Sequence, residues 1–372
     1  MQVLFREMQL GEKLDVERLY SRSLNLIDRI AFLLSFESAV KSADKQSGGT
    51  LVAEYDRRIV GSVSLRIQHI SGKRAGFIDA FVTDKNLRGK SIGASLVDKA
   101  ISWLEEWKCE VIYATVDRYN SPSWNTFIHR GFTVYEFPQQ LRDHGLSFLR
   151  LWLGEFYFLG FGTFFLRRSI VEEPPSEEHE ASHFMAAWLS MFLVFFIGVL
   201  RSGKPLALLP LLFATVGISL LAHELSQKLA AQRLGLKTTF KAWESGIFFS
   251  SLLALFGSFF PSYGSTYVKQ LDYWYDPRKR ETGAFFVVGP LVSLALAFTF
   301  WILTSLTVND LLAAAWKAGY TMNMVMVVFN LIPIQAAGGF VWDGKKILTW
   351  NRTIWLLLVL GAAALIVNDA FL

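Results

Sequence analysis

Cysteine occurs once, at Cys109, so no internal disulfide can form and nothing in the chain demands an oxidising compartment. Long apolar runs are scarce before Ala181. A charged-then-apolar leader is also missing from the N-terminus, where Arg6, Glu7, Glu12, Lys13, Asp15 and Glu17 punctuate short apolar pieces. No cleaved signal is expected, and the first half is expected to stay in the cytoplasm. A basic stripe is absent too: the net charge of +5 is modest, and the basic residues gather in loops beside apolar spans. That pattern reads as membrane topology and excludes nucleic acid as the expected partner. What the chain has in excess is apolar surface. Of its 372 residues, 52% are hydrophobic and 15% aromatic, too much for one soluble domain, and the excess lies after Ala181.

The first half alternates strand-like and helical segments. Strands are expected at 3–8, 50–55, 59–67, 76–83, 110–116 and 132–137, with a hairpin turn at 56–58. Between the fourth strand and the best helix lies Leu87-Arg88-Gly89-Lys90-Ser91-Ile92-Gly93-Ala94. Beyond it Ile92, Leu96, Val97, Ala100, Ile101 and Leu104 recur at helical spacing. A small-residue loop opening a helix offers free backbone N–H groups and the positive end of the helix dipole to an anion such as a pyrophosphate. Glycines before a helix are equally ordinary turn chemistry, so the loop alone leaves both readings open.

The segment from Ile78 to Leu96, with Arg88-Gly-Lys-Ser-Ile-Gly93-Ala94 after a strand, resembles the acetyl-CoA motif R-x-x-G-x-G/A of the GNAT acetyltransferases. The later stretch Asn120-Ser-Pro-Ser-Trp-Asn-Thr-Phe127-Ile-His-Arg-Gly131-Phe132 is similar to that family's later helix and its G-F ending. The resemblance implies an α/β GNAT domain over residues 1–170, a mixed sheet with helices on both faces. It further implies that acetyl-CoA lies along Phe81, Val82 and Thr83, with Arg88, Gly89, Lys90, Ser91, Ile92, Gly93 and Ala94 at the pyrophosphate and Asn120 nearby. An amine acceptor would attack the bound acetyl group, with Asp79 as the candidate base; the alternative for Asp79 is a strand-end carboxylate satisfied by a neighbour. Two departures stand out. Ser91 takes a position usually held by glycine, and Phe127 stands where many members place a tyrosine that protonates the leaving thiolate.

Residues 171–183 read as an acidic, proline-broken linker. Within it His179-Glu180-Ala181-Ser182-His183 matches HExxH literally. Its setting is a solvated acidic segment, whereas a catalytic zinc needs a dry pocket and a further ligand. It reads as coincidence or a surface helix, the alternative being a juxtamembrane metal site.

After the linker, spans are expected at 184–200, 205–225, 283–306, 311–333 and 353–372, each close to the ~20 residues that a bilayer core demands. The apolar piece at 246–260 is shorter. If it crossed, Lys269, Arg278, Lys279 and Arg280 would fall outside; read as a re-entrant hairpin it keeps them inside, together with Lys345, Lys346 and Arg352. The expectation is therefore an all-α polytopic membrane domain, 184–372, of about five spans plus that hairpin. His223-Glu224-Leu-Ser-Gln227 is one residue short of a helical zinc motif, because two histidines four apart share a helix face and Gln227 holds the second place.

With Gly289-Pro290, Asn330-Leu-Ile-Pro333 and Trp342-Asp343-Gly344, this helix resembles the site-2 protease family of intramembrane zinc metalloproteases. The resemblance implies His223 and Asp343 as metal ligands and Glu224 as the base that activates water. A glutamine amide is a feeble zinc donor, so a two-ligand site is expected to lose most of its affinity. The stretch from Pro333 to Asp343 is longer than the family's usual turn, which predicts a displaced Asp343. The reading is a membrane-tethered N-acetyltransferase whose membrane domain is impaired in zinc hydrolysis and holds or positions a transmembrane protein. The alternatives are an active intramembrane zinc metalloprotease regulated by an acetyl-CoA-binding domain, whether or not it borrows His179 or His183, and a non-catalytic ligand-sensing membrane adaptor.

Overall fold

In a computed structural model, the structure describes residues 2–24, 26–43, 47–87, 89–155, 157–160, 162–169, 180–257, 263–268, 279–334 and 341–371. The chain divides into two compact units, the first built from residues 1–177 and the second from 178–336 and 340–372.

The first unit runs β1 (Leu4–Glu7), α1 (Lys13–Ser23), α2 (Leu26–Ala43), β2 (Gly48–Tyr55), β3 (Arg58–Ile70), β4 (Lys73–Thr83), α3 (Ile92–Glu106), β5 (Val111–Asp117), α4 (Ser121–Ile128), β6 (Thr133–Val134), α5 (Phe137–His144), α6 (Phe148–Gly154) and β7 (Thr163–Ser169). The strands form one sheet in the order β1-β2-β3-β4-β5-β7-β6, in which β4 and β5 are parallel and every other pairing is antiparallel. This is the mixed-sheet GNAT fold. β7 was not expected from sequence, yet it fills the place between β5 and β6. Helix α3 buries Ile92, Leu96, Val97, Ala100, Ile101 and Leu104, the residues whose spacing predicted it.

Two apolar clusters cover the opposite face of the sheet. One gathers Tyr20 and Phe36 of α1 and α2 over Val52, Ala80 and Val82. The other gathers Phe148, Leu151 and Trp152 of α6 over Phe77, Tyr113 and Phe165. Between them this face carries polar side chains.

The second unit holds α7 (Glu180–Ser202), α8 (Leu209–Arg233), β8 (Thr238–Ala242), α9 (Glu244–Leu255), β9 (Gly264–Val268), α10 (Lys279–Leu306), α11 (Asp310–Leu331), α12 (Asp343–Trp350) and α13 (Arg352–Phe371). Among the described residues, five helical segments are long and apolar enough to cross a membrane: Glu180–Ser202, Leu206–Arg233, Gly283–Leu306, Asp310–Leu331 and Arg352–Asp369. Helix α9 is too short for that. Its flanking strands β8 and β9 pair antiparallel, Ala242 opposite Gly264, so the chain leaves and returns at one level, as a hairpin requires. This small sheet is an addition to the otherwise helical unit.

Candidate functional site

In the first unit, the parallel pairing of β4 with β5 runs from Ala75–Val111 to Ile78–Ala114 and stops. β4 continues to Thr83 and β5 to Asp117, so the strands part at Asp79. There β4 carries a bulge. Ser62 opposes Val82 and Ser64 opposes Asp79, which leaves Val63 facing two residues, Ala80 and Phe81. Ala80 takes a φ of +43°, a left-handed value unusual for alanine.

The inserted residue splits the neighbours between faces. The Phe81 ring lies towards α3, edge-on to Phe127 at 6.1 Å. A Cβ on Gly93 would come within 2.9 Å of it, so any side chain there would have to push the ring aside. In the turn that opens α3, Gly89 has φ +75° and Ser91 +58°. The Ser91 hydroxyl makes no capping bond, so the first-turn N–H groups of α3 have no side-chain cap. Lys90 is exposed and Ile92 buried. These residues fit a phosphate-bearing ligand. Arg88 lies outside the described residues. The Asn120 amide oxygen accepts from the Ser123 N–H at 3.2 Å and caps α4, so that oxygen already has a structural task. Phe127 is buried and offers no proton.

Asp79 lies on the other face and is bound to the Arg66 guanidinium through Nε. Arg66 Nη2 also donates to Glu155 Oε1 at 2.6 Å and to the Gly154 carbonyl at 3.0 Å. The three side chains are 6% (Asp79), 8% (Arg66) and 2% (Glu155) exposed. Burial, and then the Asp79 charge, push the Glu155 carboxyl well above the usual range. The Tyr20 hydroxyl donates to the Ala80 carbonyl at 3.3 Å, and burial pushes it up to about 12. Arg66, Glu155 and Tyr20 were not singled out from sequence. Glu155 follows α6 with no motif around it and meets Arg66 across 89 positions.

In the second unit, His223, Glu224 and Gln227 are buried on α8. The connection before Asp343 does not carry it away, contrary to the expected displacement: Gln227 Nε2 donates to Asp343 Oδ2 at 3.3 Å. Lys346 Nζ holds Asp343 Oδ1 at 3.1 Å and sits 4.2 Å from the Phe286 ring centroid. His223 Nδ1 and Ser293 Oγ lie 2.8 Å apart, and Thr266 Oγ1 of β9 donates to Glu224 Oε2 at 2.6 Å. Helix α10 presses in at Gly289, where a Cβ would come 2.6 Å from Gln227 Nε2 and 2.7 Å from His223 Nε2.

The expected ligand set thus converges, but its donors do not fit a zinc ion. Both Asp343 oxygens accept from protein cations or amides, and Gln227 points a donor where a ligand lone pair is needed. Among the described residues no three His, Cys, Asp or Glu side chains cluster to hold a metal. Of the linker match, His179 lies outside the described residues. Glu180 ties α7 down by pairing with Lys228 and accepting from the Phe240 N–H at 2.7 Å.

These two arrangements define an acetyltransferase-type domain joined to a membrane-type helical unit. The profile of the Acetyltransferase (GNAT) family matches residues 15–132. A protein of Methanocaldococcus jannaschii named "Putative zinc metalloprotease MJ0611" is 34% identical over 142 residues, which cover 38% of this chain and 70% of the relative. Similar solved structures include a GNAT-family acetyltransferase of Staphylococcus aureus Mu50, 17% identical, covering 46% of this chain and all of its own, with TM-score 0.34. Another is the PaiA N-acetyltransferase of Thermoplasma acidophilum in complex with coenzyme A, 14% identical, covering 45% and 99%, TM-score 0.34. The chain belongs to the family of the M. jannaschii relative, with a GNAT domain at its N-terminus.

Proposed function

We propose that the chain is a membrane-tethered GNAT-type N-acetyltransferase. Residues 1–170 bind acetyl-CoA and an amine acceptor, residues 171–183 link, and residues 184–372 form a multi-pass membrane domain impaired in zinc hydrolysis. The observation that best supports this is the parting of β4 and β5 at Asp79 beside the uncapped first turn of α3. Phe81, Val82 and Thr83 line the thioester and residues 88–94 the pyrophosphate, with Asn120 at the rim. Asp79 takes the proton of the acceptor nitrogen. The N-terminal domain faces the cytoplasm, which agrees with the basic residues around Lys228, Arg233 and Lys237.

Titration calorimetry with acetyl-CoA, followed by mass analysis of an amine panel incubated with the full chain, tests the first half. Saturable binding and transfer of one acetyl group are expected. Binding without transfer to any amine would favour a ligand-sensing adaptor, and absence of binding would overturn the reading.

For the membrane half, the donors around Asp343 support a retired hydrolytic centre. A second reading, an active intramembrane zinc metalloprotease regulated by acetyl-CoA, is favoured by the relative's name and by the meeting of Asp343 with Gln227 on the helix that also carries His223 and Glu224. Elemental analysis of purified wild type decides between them. Zinc well below one per chain is expected, and one tightly held zinc, lost on His223→Ala, would establish the second reading.

A further inference from the structure

On the proposed acetyltransferase reading, one group lacks a role. Glu155 is a carboxyl buried at the end of α6, on the excursion between β6 and β7, and it reaches into the place where β4 and β5 separate. We infer that Glu155 is a positioning residue for acetyl transfer, sharing Arg66 with Asp79 so that the two carboxyls together hold the proton released by the acceptor amine.

The geometry supports this in three ways. Asp79 is the first β4 residue beyond the last pair with β5, so its carboxyl stands at the vertex of the opening. Arg66 is shared: Nε serves Asp79, and Nη2 serves Glu155 at 2.6 Å, with the Gly154 carbonyl at 3.0 Å fixing the backbone that presents Glu155. The three side chains are also nearly buried between two apolar clusters, so water screens the pair only weakly. Among the described residues, the charged and titratable groups facing Glu155 are Arg66 of β3 and Asp79 of β4, with Tyr20 of α1 beyond Asp79.

Two carboxyls on one guanidinium carry one surplus negative charge when both are ionised. Adding one proton to the set makes it neutral, which is the cheaper state for a buried site. The raised Glu155 carboxyl agrees with this.

In the transfer step the neutral amine nitrogen forms a bond to the thioester carbonyl carbon while its surplus proton passes to Asp79 and is shared with Glu155. The carbon–sulfur bond breaks with its electron pair on sulfur, which takes a proton from water. The pair later returns its proton to solvent.

The test is the pH profile of kcat and kcat/KM for the full-length protein in detergent, using acetyl-CoA and an amine that the wild type acetylates. In Glu155→Gln, kcat is expected to fall at least tenfold with KM changed less than threefold, and the acidic limb of kcat/KM to move to lower pH. Glu155→Asp should keep the limb near its wild-type position and recover part of kcat. Acetyl-CoA affinity, read by calorimetry, should be the same in all three. A Glu155→Gln profile that overlays the wild type would overturn the inference while leaving the transferase reading intact. If Glu155→Gln melts below the assay temperature, Glu155→Asp decides, and an unchanged kcat there overturns the inference. A wild type that acetylates no amine overturns both.

Discussion

The two units each bury a cluster of ionisable side chains, and they satisfy them differently. In the first, charge answers charge: Arg66 stands between Asp79 and Glu155 at the edge of an opening in the sheet. In the second, most of the work falls to neutral groups. Ser293 meets His223, Thr266 meets Glu224 and the Gln227 amide meets Asp343, whose other oxygen is held by the Lys346 ammonium. Where a site must exchange protons, compensating charges keep it both buried and titratable. Where carboxylate oxygens already accept from a hydroxyl, an amide or an ammonium, fewer lone pairs remain for an incoming ion.

The sharpest way to break the contrast is Arg66→Met. It strands two buried carboxyls, and the first unit should lose about 3–5 kcal/mol, as for other buried pairs deprived of one partner; differential scanning calorimetry of the full chain reads it. Gly344→Ala probes the second cluster through its frame. A Cβ there would lie 2.2 Å from the Leu331 carbonyl oxygen, backbone that cannot swing aside. Overpacking of this kind costs about 1–3 kcal/mol, and the lower melting temperature should leave acetyl-CoA binding untouched. Gly93→Val should do the reverse, weakening acetyl-CoA binding by an order of magnitude or more by calorimetry, because the branched side chain meets Phe81. Gln227→His asks whether an imidazole alone reopens the membrane site, and a rise in zinc per chain over wild type is expected by elemental analysis.

The smallest effect concerns His144, whose Nε2 lies 3.1 Å from the Tyr113 hydroxyl and whose Nδ1 lies 2.9 Å from Ser71 Oγ. Burial holds its pKa below the ordinary value. A depressed folded-state value means stability is fully present above about pH 6.5, the unfolded value, and is lost as pH falls towards the folded one. His144→Gln should flatten that slope in a series of thermal melts.

Much of this was readable from residue order where the cause is local. Strands β1 to β5 announce themselves by branched and aromatic runs between turns, α3 by its period, and the α8 cluster by the four-residue spacing of His223 and Gln227. What escaped was nonlocal. β7, Thr-Phe-Phe-Leu-Arg-Arg-Ser, is recognisable only beside β5, to which it pairs across a long excursion. The five-residue strands β8 and β9 lie on either side of an apolar helix that dominates any window over them. Ser293, Thr266 and Glu155 carry no pattern of their own, because a lone hydroxyl or carboxyl acquires meaning only from what the fold sets against it.

The bulge at Ala80 has a kinetic corollary. One extra residue in β4 turns Phe81 and Asp79 to opposite sides of a layer a single strand thick, so in the proposed reaction the nucleotide-bearing donor and the nucleophile approach by separate doors. Neither has to depart before the other arrives, and double-reciprocal plots of initial rate should intersect rather than run parallel.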